Sequence, residues 1–457
     1  MKKLLSIICL FAIMLFDTQD AKATVKFWIG NVDSNWANGA NWSPAGVPVA
    51  TDDVRIGAIA YTGVAAQPTL SSALTYASLL FGSLNTPVLT MNFNLTVGSI
   101  TISGNSTING TGTLSGTTLT LGLTRTLNLN VKLNLTGAIS LNGTSTLIGN
   151  STATISAASM ALTTSTVTLD GALTLTGAIS TGTVSTVTLN AANNAIRGIT
   201  VNSNGDLTFG GTGTTTVSTN TTTLNNPSKL TIGSGNTVTF TAQINVSNNG
   251  FFINNGTVTT NSQISVNANP SSFTNGLTGT LNLNSTTLYM GAASTFTNNG
   301  NINGVTSTIN FSANPITGTN TGTINLSTTS ALTLAAGTNL ANSGTISATS
   351  STISLAGNPA YITNSLGSTF SATSTPITLA AGTYITNTGS TFTAASSNIT
   401  FGGNPSYIIN QNSGTTKSVA TVTNSTISLV AGAYITNTGS DFSTTSSPII
   451  MNGNTTI

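Results

Sequence analysis

The chain has 457 residues, of which only 4% are charged: ten Lys or Arg against eight acidic residues, all of them Asp, for a net +2. An ordinary soluble domain carries about 25% charged residues, and this chain has neither His nor Glu. That excludes Ser-His-Asp and Cys-His catalytic sets, zinc sites built on His and the dense basic surface that nucleic acid demands; at 38% apolar residues the chain still has material for a core and does not read as a charged disordered tail.

In chain order, residues 1–23 read as an export signal. Lys2 and Lys3 form a positive start, Leu4 to Phe16 is apolar except for Ser6, and Ala21-Lys22-Ala23 is a small-x-small cleavage site. The apolar run is too short to span about 30 Å of hydrocarbon, so the mature chain is expected to begin at Thr24. Cys9, the one cysteine, lies inside this segment. The mature protein therefore has no disulfide, although export would permit one. No later apolar run is long enough for a transmembrane helix.

Residues 24–84 form a distinct module. It holds all three tryptophans, Trp28, Trp36 and Trp42, and the clustered charges Asp33, Asp52, Asp53 and Arg55. The expected role is a cap over the first coil of a repeat structure, where an apolar core and an unpaired edge need covering. The alternative role is an exposed aromatic platform for sugars.

Residues 85–249 alternate apolar and polar residues with a loose period. Leu133-Asn134-Leu135-Thr136-Gly137-Ala138-Ile139-Ser140 returns as Leu173-Thr174-Leu175-Thr176-Gly177-Ala178-Ile179-Ser180, an offset of 40 residues. Strict alternation over short runs predicts strands with one face in and one out.

Residues 250–457 repeat clearly. Asn recurs at Asn254, Asn275, Asn298, Asn320, Asn342, Asn364, Asn387, Asn410 and Asn437, at steps of 21, 23, 22, 22, 22, 23, 23 and 27. Extra residues in Gln411–Ala420 account for the last step. Asn-x-Gly follows an aromatic or aliphatic residue, as in Tyr384-Ile385-Thr386-Asn387-Thr388-Gly389. Two further strand signals recur in each period, one like Thr369-Phe370-Ser371 and one like Ile377-Thr378-Leu379-Ala380-Ala381-Gly382. Three short strands per period of about 22 residues predict an all-β parallel β-solenoid (β-helix). About 17 coils at ~4.8 Å make a rod of roughly 80 Å. The Asn column is expected to be an internal ladder at a corner, where Asn also tolerates left-handed backbone.

The Trp-x-Gly start, Asn41-Trp42, Gly46-Val47-Pro48 and Asp52-Asp53-Val54-Arg55-Ile56, followed by Thr/Asn/Gly-rich strand repeats, resemble bacterial exported β-helix repeat proteins. These are the adhesin-like or autotransporter-like surface proteins of Bacteroidetes type. The resemblance covers essentially the whole mature chain and implies a cell-surface or secreted location. Such proteins usually end in a membrane barrel or a sorting domain. This chain ends at Ile457 in mid-pattern, so the expectation is either a fragment or anchoring by another component.

Candidate chemistry is sparse. Asp170, Asp206 and Asp441 are too far apart in sequence to converge as a glycosidase pair. Asp52 and Asp53 are adjacent and should point to opposite sides of a strand, and one pair supplies too few oxygens for calcium. Lys132, Arg197 and Lys229 have no acidic cluster that would complete a lyase site. No catalytic residue, cofactor or metal is expected. Outward pairs such as Thr345/Ser347, Thr369/Ser371 and Thr391/Thr393 resemble an ice-binding face, which Asp441 at the same position would interrupt. The expected function is a structural or adhesin-like surface protein acting by multivalent contact with glycans, with host or neighbouring cells, or with copies of itself. The alternative is a passive stalk presenting a missing C-terminal domain.

Overall fold

The computed structural model describes residues 23–267, 270–312, 314–365 and 367–457. The expected export segment, apart from Ala23, lies outside the described residues. The described chain is an all-β parallel solenoid with three strands per coil. In one coil these are Thr383–Thr388, Thr391–Ala395 and Ile399–Phe401. Successive coils stack these strands into a first, a second and a third face. The first face has eighteen strands, from Thr69–Leu70 to Ala433–Thr438. That is one rung more than the spacing implies, because the earliest one falls within the Trp-rich segment. At ~4.8 Å per rung the rod is roughly 80 Å long.

Coil length changes along the rod. First-face strands begin at Thr126, Thr146, Thr166, Thr186 and Asp206, in steps of 20 residues. Later they begin at Thr338, Ala360, Thr383 and Ser406, in steps of 22, 23 and 23. The 40-residue echo in the sequence is therefore two short coils: Leu133 pairs with Ile155, and Ile155 with Leu173. Pairing continues from Lys229–Ile232 to Phe251–Asn254, so the faces run unbroken into the regular region. Near the N-terminus the second and third faces are one. The eight-residue strands Leu74–Phe81 and Leu95–Ile102 span both, and the division begins with Thr113–Gly116 and Thr118–Leu121.

Alternation decides the core. Inward residues of neighbouring coils stack in columns, such as Leu207, Leu230, Phe252, Phe273 and Phe296 on the first face. The rings of Phe252 and Phe273 lie 5.6 Å apart and those of Phe296 and Phe311 5.2 Å apart. Each such side chain, fully buried, contributes about 1.5–3 kcal/mol. Gly318 occupies this column between Phe296 and Leu340. A Cβ there would meet Leu340 at 3.0 Å and Phe311 at 3.1 Å, so larger neighbours already fill its space.

The corners differ from one simple expectation. The ladder asparagines lie within extended strands, as Asn387 does in Thr383–Thr388, and not at left-handed positions. Left-handed backbone forms its own column between the second and third faces, at Ser350, Ser374, Ser396, Asn424 and Ser446, with φ of 49–52°. Asn is not needed there, because short Ser side chains tolerate the region at modest cost.

The N-terminal end is closed by its own segment. Val25–Trp28 pairs in parallel with Asp53–Ile56, which continues the third face into Leu74–Phe81. The outer edge of Val25–Trp28 pairs antiparallel with Trp42–Ser43. Phe27 and Trp28 thus have strand partners on both sides.

Candidate contact surfaces

The nine asparagines form one inward column. The amide Nδ2 of each donates to Oδ1 of the next at 2.6–2.8 Å, from Asn254 through to Asn437. The same nitrogen donates to a backbone carbonyl at 3.0–3.3 Å, such as Thr345 O for Asn320 and Thr369 O for Asn342. Both amide protons and the carbonyl are therefore used, which is what a buried amide requires. Asn254 to Asn410 are fully buried, while Asn437 is exposed and donates to Ser440 O.

A second buried column is made of hydroxyls. Ser351 N–H donates to Thr375 Oγ1, Thr375 N–H to Ser397 Oγ and Ser397 N–H to Ser425 Oγ, at 3.2, 2.9 and 2.7 Å. Each hydroxyl donates in turn to the carbonyl two residues earlier, at 2.8–2.9 Å. Sequence reasoning missed this column because Ser and Thr are frequent everywhere in the chain.

The three tryptophans are fully buried and pack on one another, with Trp28–Trp42 centroids 5.0 Å apart and Trp36–Trp42 4.8 Å apart. Their indole N–H groups donate to Ala66 O, Tyr76 Oη and Trp36 O. This buried arrangement leaves no exposed indole face and removes the sugar-platform alternative. Asp52 is 2% exposed and accepts from the N–H groups of Thr24 and Val49. Asp53 lies on the other side of the strand and accepts from Ser78. Asp33 accepts from Asn35, Asn38 and Asn41, which hold its carboxyl below the usual range. Lys26 donates to the carbonyls of Pro44, Ala45 and Gly46, and Arg55 lies over the Phe27 ring at 5.6 Å.

The acids of the rod stand apart from one another. Asp170 accepts from Asn190. Asp206 pairs with Lys229 of the next coil at 3.0 Å, so that lysine has one carboxylate beside it rather than a cluster. Asp441 pairs with Lys417 at 3.3 Å; Lys417 belongs to the extra residues between Ser406–Gln411 and Val419–Thr423. Among the described residues no three His, Cys, Asp or Glu side chains gather where they could hold a metal, and no helix is long and apolar enough to cross a membrane.

Two outward surfaces are periodic. On the second face Thr323, Thr345, Thr369 and Thr391 are in register. Beside them run Asn325, Ser347, Ser371 and Thr393, and earlier coils continue this column as an amide series, Asn325 to Asn303 at 3.3 Å and Asn303 to Asn282 at 3.0 Å. Val419 and Asp441 follow in the threonine column. On the first face Tyr361, Tyr384, Tyr407 and Tyr434 stack outside the core. Their ring centroids are 4.7 Å apart at each step, with interplanar angles of 3–6°. Asn339 Nδ2 donates to Tyr361 Oη at 2.8 Å and closes one end of the stack. Burial, and then the neighbouring phenols, push the Tyr384 and Tyr407 hydroxyls up.

Comparison with protein-family models, with curated proteins and with solved structures found no match.

Proposed function

We propose that this protein is an exported, non-enzymatic surface or matrix rod of adhesin-like character that works by multivalent contact. The observation that carries this reading is the second face. Its outward columns repeat uncharged hydroxyl and amide groups at the coil spacing over many turns. One rung offers a hydroxyl or amide contact of only about 1 kcal/mol. Many rungs in fixed register add such contacts without further ordering, so avidity grows with the number engaged. The matching chemistry is a flat, hydroxyl-rich, neutral partner such as a glycan layer on a neighbouring or host cell. Uncharged contacts of this kind do not depend on ionic strength.

The test is adhesion of beads coated with the rod to glycan-coated surfaces. Lys placed at Thr345, Ser371 and Thr393 should cut retention at least tenfold, while the fold, read by circular dichroism, stays unchanged. Equal retention by the variant would overturn the assignment of this face.

A further inference from the structure

The tyrosine ladder is not used by the second-face reading and has its own geometry. Four identical aromatic side chains stand in register on a flat sheet at the 4.7 Å repeat. Two residues along each strand runs a column of smaller side chains: Thr363, Thr386, Ile409 and Thr436. Over these rungs no charged residue occupies either column; Asp206 and Lys229 stand in the tyrosine column only several coils nearer the N-terminus. Identical side chains in register on an uncharged sheet are the arrangement that forms dry, interdigitated contacts between two sheets. Tyrosine is also a side chain that interfaces favour.

We propose that this first-face surface is a homotypic contact site whose occupant is the same surface of a second copy of this chain. A two-fold axis parallel to the rod reverses the strand direction across the contact. It sets each tyrosine column opposite the partner's threonine/isoleucine column, large against small, on every rung at once. The ring faces are already covered within each stack, so ring edges make the contact.

The area sets its strength. Six rungs, from Ile316–Asn320 to Ala433–Thr438, carry strands of five or six residues. At ~4.8 Å per rung and ~3.3 Å per residue that is roughly 500 Å² per copy. The total of about 1,000 Å² falls below a stable dimer and within the range of transient contacts. The association is therefore weak and reversible in solution and is strengthened where many copies share a surface.

Sedimentation velocity of the full chain over a concentration series tests this. The expected result is a rapid monomer–dimer equilibrium with a dissociation constant of about 10 μM to 1 mM, unchanged by salt. Tyr384→Lys with Tyr407→Lys should leave monomer at every concentration, whereas Tyr384→Phe with Tyr407→Phe keeps the dimer. Thr345→Lys with Ser371→Lys, on the second face, should also keep it. If the Tyr→Lys pair disturbs the fold, Thr363→Lys with Thr386→Lys tests the same surface with the ring stack intact. A wild-type chain that stays monomeric up to 1 mM, a dimer that survives these first-face Lys variants, or loss of the dimer through the second-face variant would each overturn the proposal. Any of these leaves the second-face reading standing, since that reading is tested on beads and on a different face.

Discussion

At the residue scale, the stability of the regular region rests on side chains that are polar and buried. Removing one ladder amide leaves its neighbours' donor and acceptor without partners, which costs more than a mean hydrogen bond. Asn320→Ala strands an amide proton of Asn298 and the Asn342 carbonyl oxygen and should destabilise the local coils by about 2–4 kcal/mol, measured by denaturant unfolding. Asn437→Ala, at the exposed end of the column, should cost under about 1 kcal/mol. The phenols make a second residue-level prediction. Burial raises Tyr61 well above its usual range and Tyr76 to about 12, and Tyr384 and Tyr407 are raised as well. A phenol whose folded pKa is raised supports the fold fully below its unfolded value near 10 and loses that support as pH climbs toward the folded value. The unfolding midpoint should fall steeply above pH ~10 and stay nearly flat from about pH 5 to 9, where no His or Glu titrates. The asparagine spacing was legible in the sequence because Asn at a fixed 22-residue step stands out. Its place within an extended strand rather than at a left-handed corner was not, since Asn is equally at home in a turn. The tyrosine stack was hidden for a related reason. Tyr384 and Tyr434 recur visibly, but only the coil register shows that they are consecutive members of one column with Tyr361 and Tyr407.

At the element scale, the corners carry the constraints. Ser350 and Ser374 hold φ near 50°, a region costing L-residues roughly 1–2 kcal/mol. Ser374→Gly should therefore be neutral or slightly stabilising, and Ser374→Val should cost about 1–2 kcal/mol; thermal unfolding of the two variants separates them. At the preceding corner the constraint is contact rather than φ: a Cβ on Gly344 would lie 2.1 Å from Gly322 O. The asparagine corner was readable from Asn-x-Gly, while the serine corner has Pro in only two of its turns, Pro376 and Pro448, and so gave no periodic signal. The weak element is the passage from 20-residue to longer coils. Thr222 Oγ1, Ser228 Oγ and Asn236 Oδ1 are buried there without hydrogen-bond partners, and the only charge pair on this stretch, Asp206–Lys229, is exposed and adds little. Hydrogen exchange should find its least protected buried strands between residues 203 and 240, ahead of the ladder region. Uniform protection along the rod would contradict this.

At the scale of the whole molecule, a stack of near-identical coils explains the charge count. Each side chain sits about 4.8 Å from its counterparts above and below, so a repeated charge would face its own copy and be repelled. The rod stacks two pairs of opposites, Asp206 on Lys229 and Asp441 beside Lys417, and Lys26 and Asp52 of the N-terminal segment are tied to backbone groups. The remaining surface is free to be periodic and neutral, which is the property that the proposed multivalent contact uses. The measurement that bears most directly on that account is retention of rod-coated beads on a glycan-coated surface as salt rises from about 0.01 M to about 1 M, where the screening length shrinks from ~30 Å to ~3 Å. Contact through uncharged ladders predicts retention that holds or rises across the series. Collapse of retention at high salt would show that charge, and not the ladders, makes the contact.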